Sequence, residues 1–202
     1  MKEAPIVAYV LVGAVVAGLL ASFGSKIPEM SRRDKQSACT ALQPSPRNEK
    51  LGLLPVAAPE LSAQGHDGNL YSLSQYRGRV VFLNFWADWC PPCIDELPHM
   101  QKVANELTGN GFVMLAVGSG TTWQNMTRKL KELFPGGTKM TLLLDPSSQE
   151  GEVGDLPRRY GTEKFPETFL IDKQGRVRYY FINKRDWSSG NAQQCLRSLI
   201  EE

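Results

Sequence analysis

A run that is apolar except for Asn84, Val80–Trp86, is followed after three residues by the sequence Cys90-Pro91-Pro92-Cys93. A run that shows no polar alternation is typical of a strand buried on both faces of a sheet. Apolar residues at helical spacing then predict a helix from Pro92 to Leu107. This strand–turn–helix unit restricts the fold strongly, because its strand requires a sheet that is covered on both sides.

The two cysteines in this turn are predicted to be a redox pair. Cys90 falls at the helix N-terminus, where backbone N–H groups lack internal partners and the helix dipole is positive. Both effects favour the thiolate, so we expect Cys90 to be the nucleophile. Pro91 and Pro92 suit the first helical turn. Cys93, one turn further on, is placed to resolve a mixed disulfide.

A structural zinc site and an inert disulfide are the two other interpretations of this pair. Structural zinc is usually held by four ligands. The chain contains no second cysteine or histidine pair at suitable spacing, since His66 and His99 are isolated. We therefore predict dithiol–disulfide exchange, a reaction that needs no cofactor and no metal.

Short strands and helices alternate through the rest of the chain. The predicted strands cover residues 60–63, 70–72, 112–117, 141–144, 167–172 and 177–182, and the further helices cover 123–134, 156–160 and 186–201. A polar turn at His66–Asn69 predicts a β-hairpin between the first two strands. The order predicts an α/β fold, with a mixed sheet flanked by helices.

The N-terminal part predicts a membrane anchor followed by a tether. Ile6 to Phe23 carry no charge, and as a helix they would be about 27 Å long, close to the thickness of a bilayer core. A cleaved signal peptide is the alternative, although the apolar run exceeds the usual length for one. The predicted units are a short segment at 1–5, a transmembrane anchor at 6–24, a flexible proline-punctuated tether at 25–58 and a folded domain at 59–202.

Charge gives two further expectations. Lys26, Arg32, Arg33 and Lys35 follow the anchor while only Lys2 precedes it, and the positive-inside rule alone would keep the domain in the cytoplasm. The net charge of +2 provides no electrostatic footprint for nucleic acid, so no nucleic-acid partner is expected.

The segment Phe85–Cys93 resembles the active-site signature of the thioredoxin superfamily. With the preceding hairpin, Leu97-Pro98-His99 and Phe165–Asp172, it is similar to the membrane-anchored TlpA/ResA branch of thiol–disulfide oxidoreductases, over about Pro59–Glu202. The resemblance implies a thioredoxin-like fold with an N-terminal β-hairpin extension. It also implies exchange with protein thiols and disulfides, often including apocytochrome c, and a membrane redox partner.

The resemblance also bears on location and on substrate binding. It implies a single-pass protein of the inner (cytoplasmic) membrane with a periplasmic catalytic domain, and we weigh it above the charge count because the charge rule has exceptions. It implies a cis peptide at Phe165–Pro166, in a loop beside the cysteines that pairs with an extended substrate. Phe165 and Pro166, with Trp89, Pro91 and Pro92, are the predicted substrate-binding residues. The alternative at Pro166 is an ordinary trans proline before a strand.

One position departs from the thioredoxin pattern. Thioredoxins carry a buried aspartate where this chain has Asn84, which cannot accept a proton from Cys93. Glu96, one helical turn beyond Cys93, is the predicted substitute, and burial would raise its pKa and let it shuttle protons. The alternative is a solvated glutamate that interacts only with the helix dipole.

Cys39 and Cys195 leave two interpretations open. Cys195, on an apolar helix face, is either a reduced core residue or the partner of Cys39 in a disulfide that joins the tether to the domain. A second class of function also stays open, a tethered thioredoxin-fold binding module such as a metallochaperone or assembly factor. Loss or retention of cysteine-dependent reductase activity discriminates the two functions.

Overall fold

The computed structural model describes residues 38–42, 54–109, 111–145 and 149–202. The predicted segments 1–5 and 6–24 lie outside these residues. No helix among the described residues combines the length and the apolar character needed to cross a bilayer.

One mixed sheet forms the centre of the described structure. Its eight strands among these residues are β1 Val56–Ala57, β2 Ser62–Gly65, β3 Leu70–Ser72, β4 Val80–Trp86, β5 Phe112–Gly118, β6 Thr141–Leu144, β7 Glu167–Ile171 and β8 Arg176–Ile182. They are hydrogen-bonded in the order β1-β8-β7-β4-β5-β6-β2-β3. The predicted thioredoxin-like α/β fold is confirmed, and most predicted strands recur within one or two residues of their expected ends.

Strand β4 occupies the middle of the sheet. It runs parallel to β5 and antiparallel to β7, and all seven of its residues are buried. A parallel neighbour requires a crossover connection, and α2, Pro91–Leu107, makes it. The chain therefore leaves the carboxyl end of β4 at Trp86 and enters α2 within a few residues, which brings the two cysteines to the edge of the sheet.

The other helical segments are shorter. They are α1 at 38–42, a 3-10 turn Leu73–Tyr76, α3 Trp123–Leu133, α4 Asp155–Arg159 and α5 Gly190–Glu201. Helix α5 begins four residues later than predicted, because the Ser189 hydroxyl caps it by accepting a hydrogen bond from Ala192 N. Asp186 and Ser188 instead form a turn, in which Ser188 N donates to Asp186 Oδ1 at 3.0 Å.

Strands β2 and β3 are antiparallel neighbours, with Ser62 opposite Ser72. The turn between them is closed by Asp67, whose carboxylate accepts hydrogen bonds from Asn69 N and from the Tyr71 hydroxyl. The first of the two strands begins two residues later than predicted. Strand β2 also pairs with β6, which joins this N-terminal pair to the main sheet.

Two pieces of the predicted tether are part of the folded domain. In α1, Ala38 and Cys39 are buried, and Cys39 forms a disulfide with Cys195 of α5. Strand β1 pairs with β8, with Val56 opposite Val177. These contacts differ from the expectation of a free coil over residues 25–58. For Cys195 they select the disulfide over the reduced core residue.

Candidate active site

Helix α2 begins at the first cysteine of the pair. Cys90 is the N-cap residue, with extended backbone angles, and its sulfur accepts a hydrogen bond from Cys93 N at 3.3 Å. Pro91 and Pro92 occupy the first helical positions, where no N–H donor is needed. Cys90 and Cys93 form a disulfide with a Cα–Cα distance of 5.3 Å. The sulfur of Cys90 is therefore held at the positive end of the helix dipole, as predicted.

An exposed aromatic side chain stands beside this disulfide. Trp89 is 45% exposed, whereas Cys90 is 4% exposed. The Trp89 indole N–H donates to Gly120 O at 2.6 Å, which ties the ring to the loop that follows β5. Asp88, which precedes Trp89, is half-buried and accepts a hydrogen bond from the Thr121 hydroxyl.

The Phe165–Pro166 peptide is cis, and this expectation is confirmed. It immediately precedes β7, whose first residue, Glu167, lies opposite Phe85 near the end of β4. This antiparallel register brings the proline loop to the cysteine edge of the sheet. The Phe165 ring lies with its centroid 6.0 Å from the Trp89 ring. The structure thus brings the predicted substrate-binding residues to one edge, around the disulfide.

Glu96 is almost completely buried, with 1% exposure, so it is not the solvated glutamate of the alternative interpretation. Its Oε1 accepts hydrogen bonds from Trp187 Nε1 at 2.7 Å and from Arg185 N at 2.9 Å, and its Oε2 accepts one from Asn84 Nδ2 at 3.3 Å. Burial raises the pKa of Glu96 to about 7, although these hydrogen bonds act in the opposite direction. Glu96 can therefore change its protonation state near neutral pH.

Asn84 connects Glu96 to the strand that follows the proline loop. Its amide nitrogen also donates to Thr168 Oγ1 at 2.8 Å, and Thr168 is the residue opposite Asn84 in the β4–β7 pair. The Asn84 Oδ1 atom is buried and has no hydrogen-bond partner among the described residues. The Asn84 amide is thus a fixed hydrogen-bond donor to the Glu96 carboxylate. An aspartate at position 84 would instead repel that carboxylate.

Comparison with known proteins identifies the family. The family model described as Redoxin matches residues 53–196, which is most of the chain. This chain belongs to the Redoxin family. Within it, the chain resembles the TlpA/ResA-like proteins of the thioredoxin superfamily, as the relatives below indicate.

Two curated relatives and one solved structure illustrate the similarity. The chain is 36% identical over 121 residues to "Thiol-disulfide oxidoreductase ResA" of Geobacillus thermodenitrificans, covering 60% of this chain and 64% of that protein. It is 33% identical over 135 residues to "Thiol:disulfide interchange protein DsbE" of Vibrio cholerae, covering 67% and 66%. A crystal structure of a thiol:disulfide interchange protein DsbE from Chlorobium tepidum superimposes with a TM-score of 0.60 at 30% identity, covering 72% of this chain and 96% of that one. The chain spans less than two thirds of the length of the ResA relative.

Some residues of this Redoxin-family site are not apparent from the sequence. Trp187 and Arg185 contact Glu96 from 91 and 89 positions away. The predicted terminal helix began at Asp186 and so placed Trp187 within it. The one available signal is that a tryptophan sits among polar turn residues just before an amphipathic helix, which is unusual for an exposed position.

His99, the histidine of α2, makes contacts of its own. His99 Nδ1 lies 2.8 Å from Asp186 Oδ1 and 3.0 Å from Ser188 Oγ. Within the part of the chain that the structure describes, no three or more histidine, cysteine, aspartate or glutamate side chains are grouped so as to hold a metal ion.

Proposed function

We propose that this chain is a thiol–disulfide oxidoreductase that exchanges the Cys90–Cys93 disulfide with the thiols of protein substrates. The observation that carries the proposal is the position of this disulfide, at the N-terminus of a helix and one turn from the buried carboxyl group of Glu96. The names of the ResA and DsbE relatives support the same reaction.

In the proposed reaction, a substrate thiolate attacks Cys90 Sγ and breaks its bond to Cys93. The product is a mixed disulfide between the substrate and Cys90, with Cys93 released as a thiolate that takes up one proton. A second substrate thiol then displaces Cys90, so that two substrate thiols are oxidised to a disulfide and Cys90–Cys93 is reduced to a dithiol. The reverse sequence reduces a substrate disulfide.

Glu96 is proposed to supply and remove the proton of Cys93. General acid–base transfer is most effective when the pKa of the group lies near the working pH, and burial raises the pKa of Glu96 to about 7. Glu96 lies three residues after Cys93 in α2, on the same side of the helix. Asn84 cannot perform this role, because its amide donates to Glu96 and does not ionise.

The substrate is proposed to lie across the edge formed by Trp89, Pro91, Pro92, Phe165 and Pro166. Pro91 is exposed and Pro92 half-buried, so both can contact a polypeptide that approaches Cys90. The backbone before β7 is proposed to pair with an extended substrate segment, in the manner of strand addition. The phenyl ring of Phe165 limits the width of this approach.

The cellular setting is also part of the proposal. We infer that residues 6–24 anchor the protein in the inner membrane, with the catalytic domain in the periplasm, and that its substrates include apocytochrome c thiols. The uncharged stretch from Ile6 to Phe23 supports the anchor. A C-terminal alkaline phosphatase fusion is expected to be active, and an inactive fusion would place the domain in the cytoplasm.

Insulin reduction by the full-length protein in detergent micelles tests the reaction. The wild-type protein is expected to accelerate reduction, and Cys90→Ser is expected to fall to the uncatalysed rate because the nucleophile is removed. Cys195→Ser is the matched control, since its sulfur belongs to the other disulfide, and it should retain activity. A wild-type rate equal to that of Cys90→Ser would contradict the proposal and favour the tethered binding module.

A further inference from the structure

Trp187 lies on the segment that leads into α5 and is completely buried. Its ring packs edge-to-face against Phe82, with centroids 4.7 Å apart, and against Phe181 at 5.0 Å. Phe82 belongs to the central strand β4 and Phe181 to β8. Because two rings from two strands hold it, the direction of the indole N–H is fixed by the core.

This fixed donor is directed at Glu96. The Trp187 Nε1 atom lies 2.7 Å from Glu96 Oε1, the shortest of the three hydrogen bonds that the carboxylate accepts. Arg185 N binds the same oxygen, and Asn84 Nδ2 binds the other. The carboxylate is therefore held from two directions, by the segment before α5 and by β4.

We propose that Trp187 is a positioning residue for Glu96, and that its indole N–H sets the orientation of the carboxylate and the pH at which Glu96 takes up its proton. The inference rests on the proposed role of Glu96 in proton transfer. A hydrogen bond from a neutral donor stabilises the charged carboxylate more than the neutral carboxylic acid. Trp187 thereby keeps Glu96 ionisable in an environment that otherwise favours the protonated form.

Trp187 shares this role with Arg185, whose backbone N–H lowers the pKa of Glu96 more, but Trp187 is the larger of the two side-chain donors. The charge of Arg185 also lowers the pKa of Glu96. His99, three residues further along α2, faces Asp186 at 2.8 Å. The exposed pair Lys184–Asp95 has an N–O distance of 2.6 Å. Among the described residues, the hydrogen bond that Glu96 accepts from the sheet comes from the uncharged side chain of Asn84. Cys93, one turn earlier in α2, becomes titratable once the disulfide is reduced.

Trp187→Phe in the full-length protein tests the inference, because phenylalanine keeps an aromatic ring between the two phenyl rings while it removes the N–H donor and part of the ring volume. Loss of one hydrogen bond to a charged group is expected to raise the pKa of Glu96 by about one unit. The readout is the pH midpoint of the infrared carbonyl band of protonated Glu96, identified by its absence in Glu96→Gln. The pH profile of thiol exchange should shift in the same direction.

Two controls separate positioning from general damage. Trp86→Phe also removes a buried indole N–H, but that N–H has no hydrogen-bond partner among the described residues, so the Glu96 midpoint should stay in place. In a Glu96→Gln background, Trp187→Phe should no longer change the pH profile. An unchanged midpoint in Trp187→Phe, or an equal shift in Trp86→Phe, would overturn the inference. The infrared midpoint tests it even if the wild-type protein reduces no insulin, an outcome that would refute only the proposed function.

Discussion

The two disulfides of this protein are the same kind of bond in different surroundings, although all four cysteines are buried. Cys90 and Cys93 are three residues apart, at the end of a helix and beside the exposed ring of Trp89. Cys39 and Cys195 are separated by 156 residues, and neither has any exposed surface. One bridge lies at the edge of the sheet, and the other lies within the core between α1 and α5.

The comparison illustrates how the environment, and not the bond, suits each cysteine pair to a different role. Cys90 is placed where the positive end of a helix dipole favours a thiolate, and a carboxyl group that titrates near neutral pH lies one turn further along the helix. Cys195 has apolar neighbours on its own helix, including the buried Leu196 and Leu199, which disfavour a charged sulfur. The first pair is suited to exchange and the second to holding two distant segments together.

The largest expected difference is in the rate of reduction. Under native conditions dithiothreitol should reduce Cys90–Cys93 at least a thousandfold faster than Cys39–Cys195, on the order of the penalty for opening a fully buried region. Thiol counting by alkylation and mass spectrometry should find two free thiols in the folded protein and four in urea. Simultaneous release of all four thiols in the folded state would break the comparison.

A smaller difference is expected in stability. Loop-closure entropy assigns roughly 5 kcal/mol to a bridge as long as Cys39–Cys195 and roughly 2 kcal/mol to one as short as Cys90–Cys93. The Cys39→Ser/Cys195→Ser variant should therefore lose about 3 kcal/mol more free energy of unfolding than its matched control, Cys90→Ser/Cys93→Ser. Urea unfolding of both full-length variants measures this difference. Equal losses would show that the long bridge does not constrain the unfolded chain.

The smallest of the three effects concerns Glu96 and the pH dependence of stability. Its pKa is raised from 4.5 to about 7 in the folded protein, so the folded state binds a proton that the unfolded state releases. Wild-type stability should therefore decrease as the pH rises from about 5 to about 7, while Glu96→Gln lacks this decrease. Between pH 5 and pH 8, the free energy of unfolding of Glu96→Gln should therefore rise by about 2 kcal/mol relative to that of the wild-type protein.

Urea unfolding of wild type and Glu96→Gln at several pH values measures this difference in free energy of unfolding. Asp95→Asn, at the neighbouring exposed position, is the matched control and should follow the wild-type profile. A difference that stays constant with pH would mean that Glu96 is ionised throughout this range. The Cys90–Cys93 disulfide would then lack the neighbouring proton donor that distinguishes it from Cys39–Cys195.

Local patterns in the sequence predict the elements that surround the Cys90–Cys93 disulfide. They do not predict the hydrogen bonds that Glu96 accepts. The strand Val80–Trp86, the start of α2 and the cis Phe165–Pro166 peptide could be predicted, because each is encoded by consecutive residues or by a family motif. The donors to Glu96 could not be predicted. Trp187 reaches it across 91 residues, and no periodic pattern reports such a contact.

The same reasoning explains why β1 and Cys39, which the sequence assigns to a flexible tether, belong to the folded domain. Strand β1 has two residues, too few to show an alternating pattern, and its place in the sheet depends on pairing with β8. The pairing of Cys39 with Cys195 depends on how the chain folds back over its full length. Short edge strands and long-range bridges are properties of the assembled fold, so composition alone assigned these residues to a coil.

The disulfide at Cys39 also limits how far the active site can travel from a membrane. Were the chain free until residue 59, a fully extended backbone could separate residue 24 from the domain by about 120 Å. Attachment at Cys39 reduces that limit to about 50 Å. If residues 6–24 are the anchor that we propose, the domain works within a shallow layer above the bilayer. Any partner must present its cysteines within that layer.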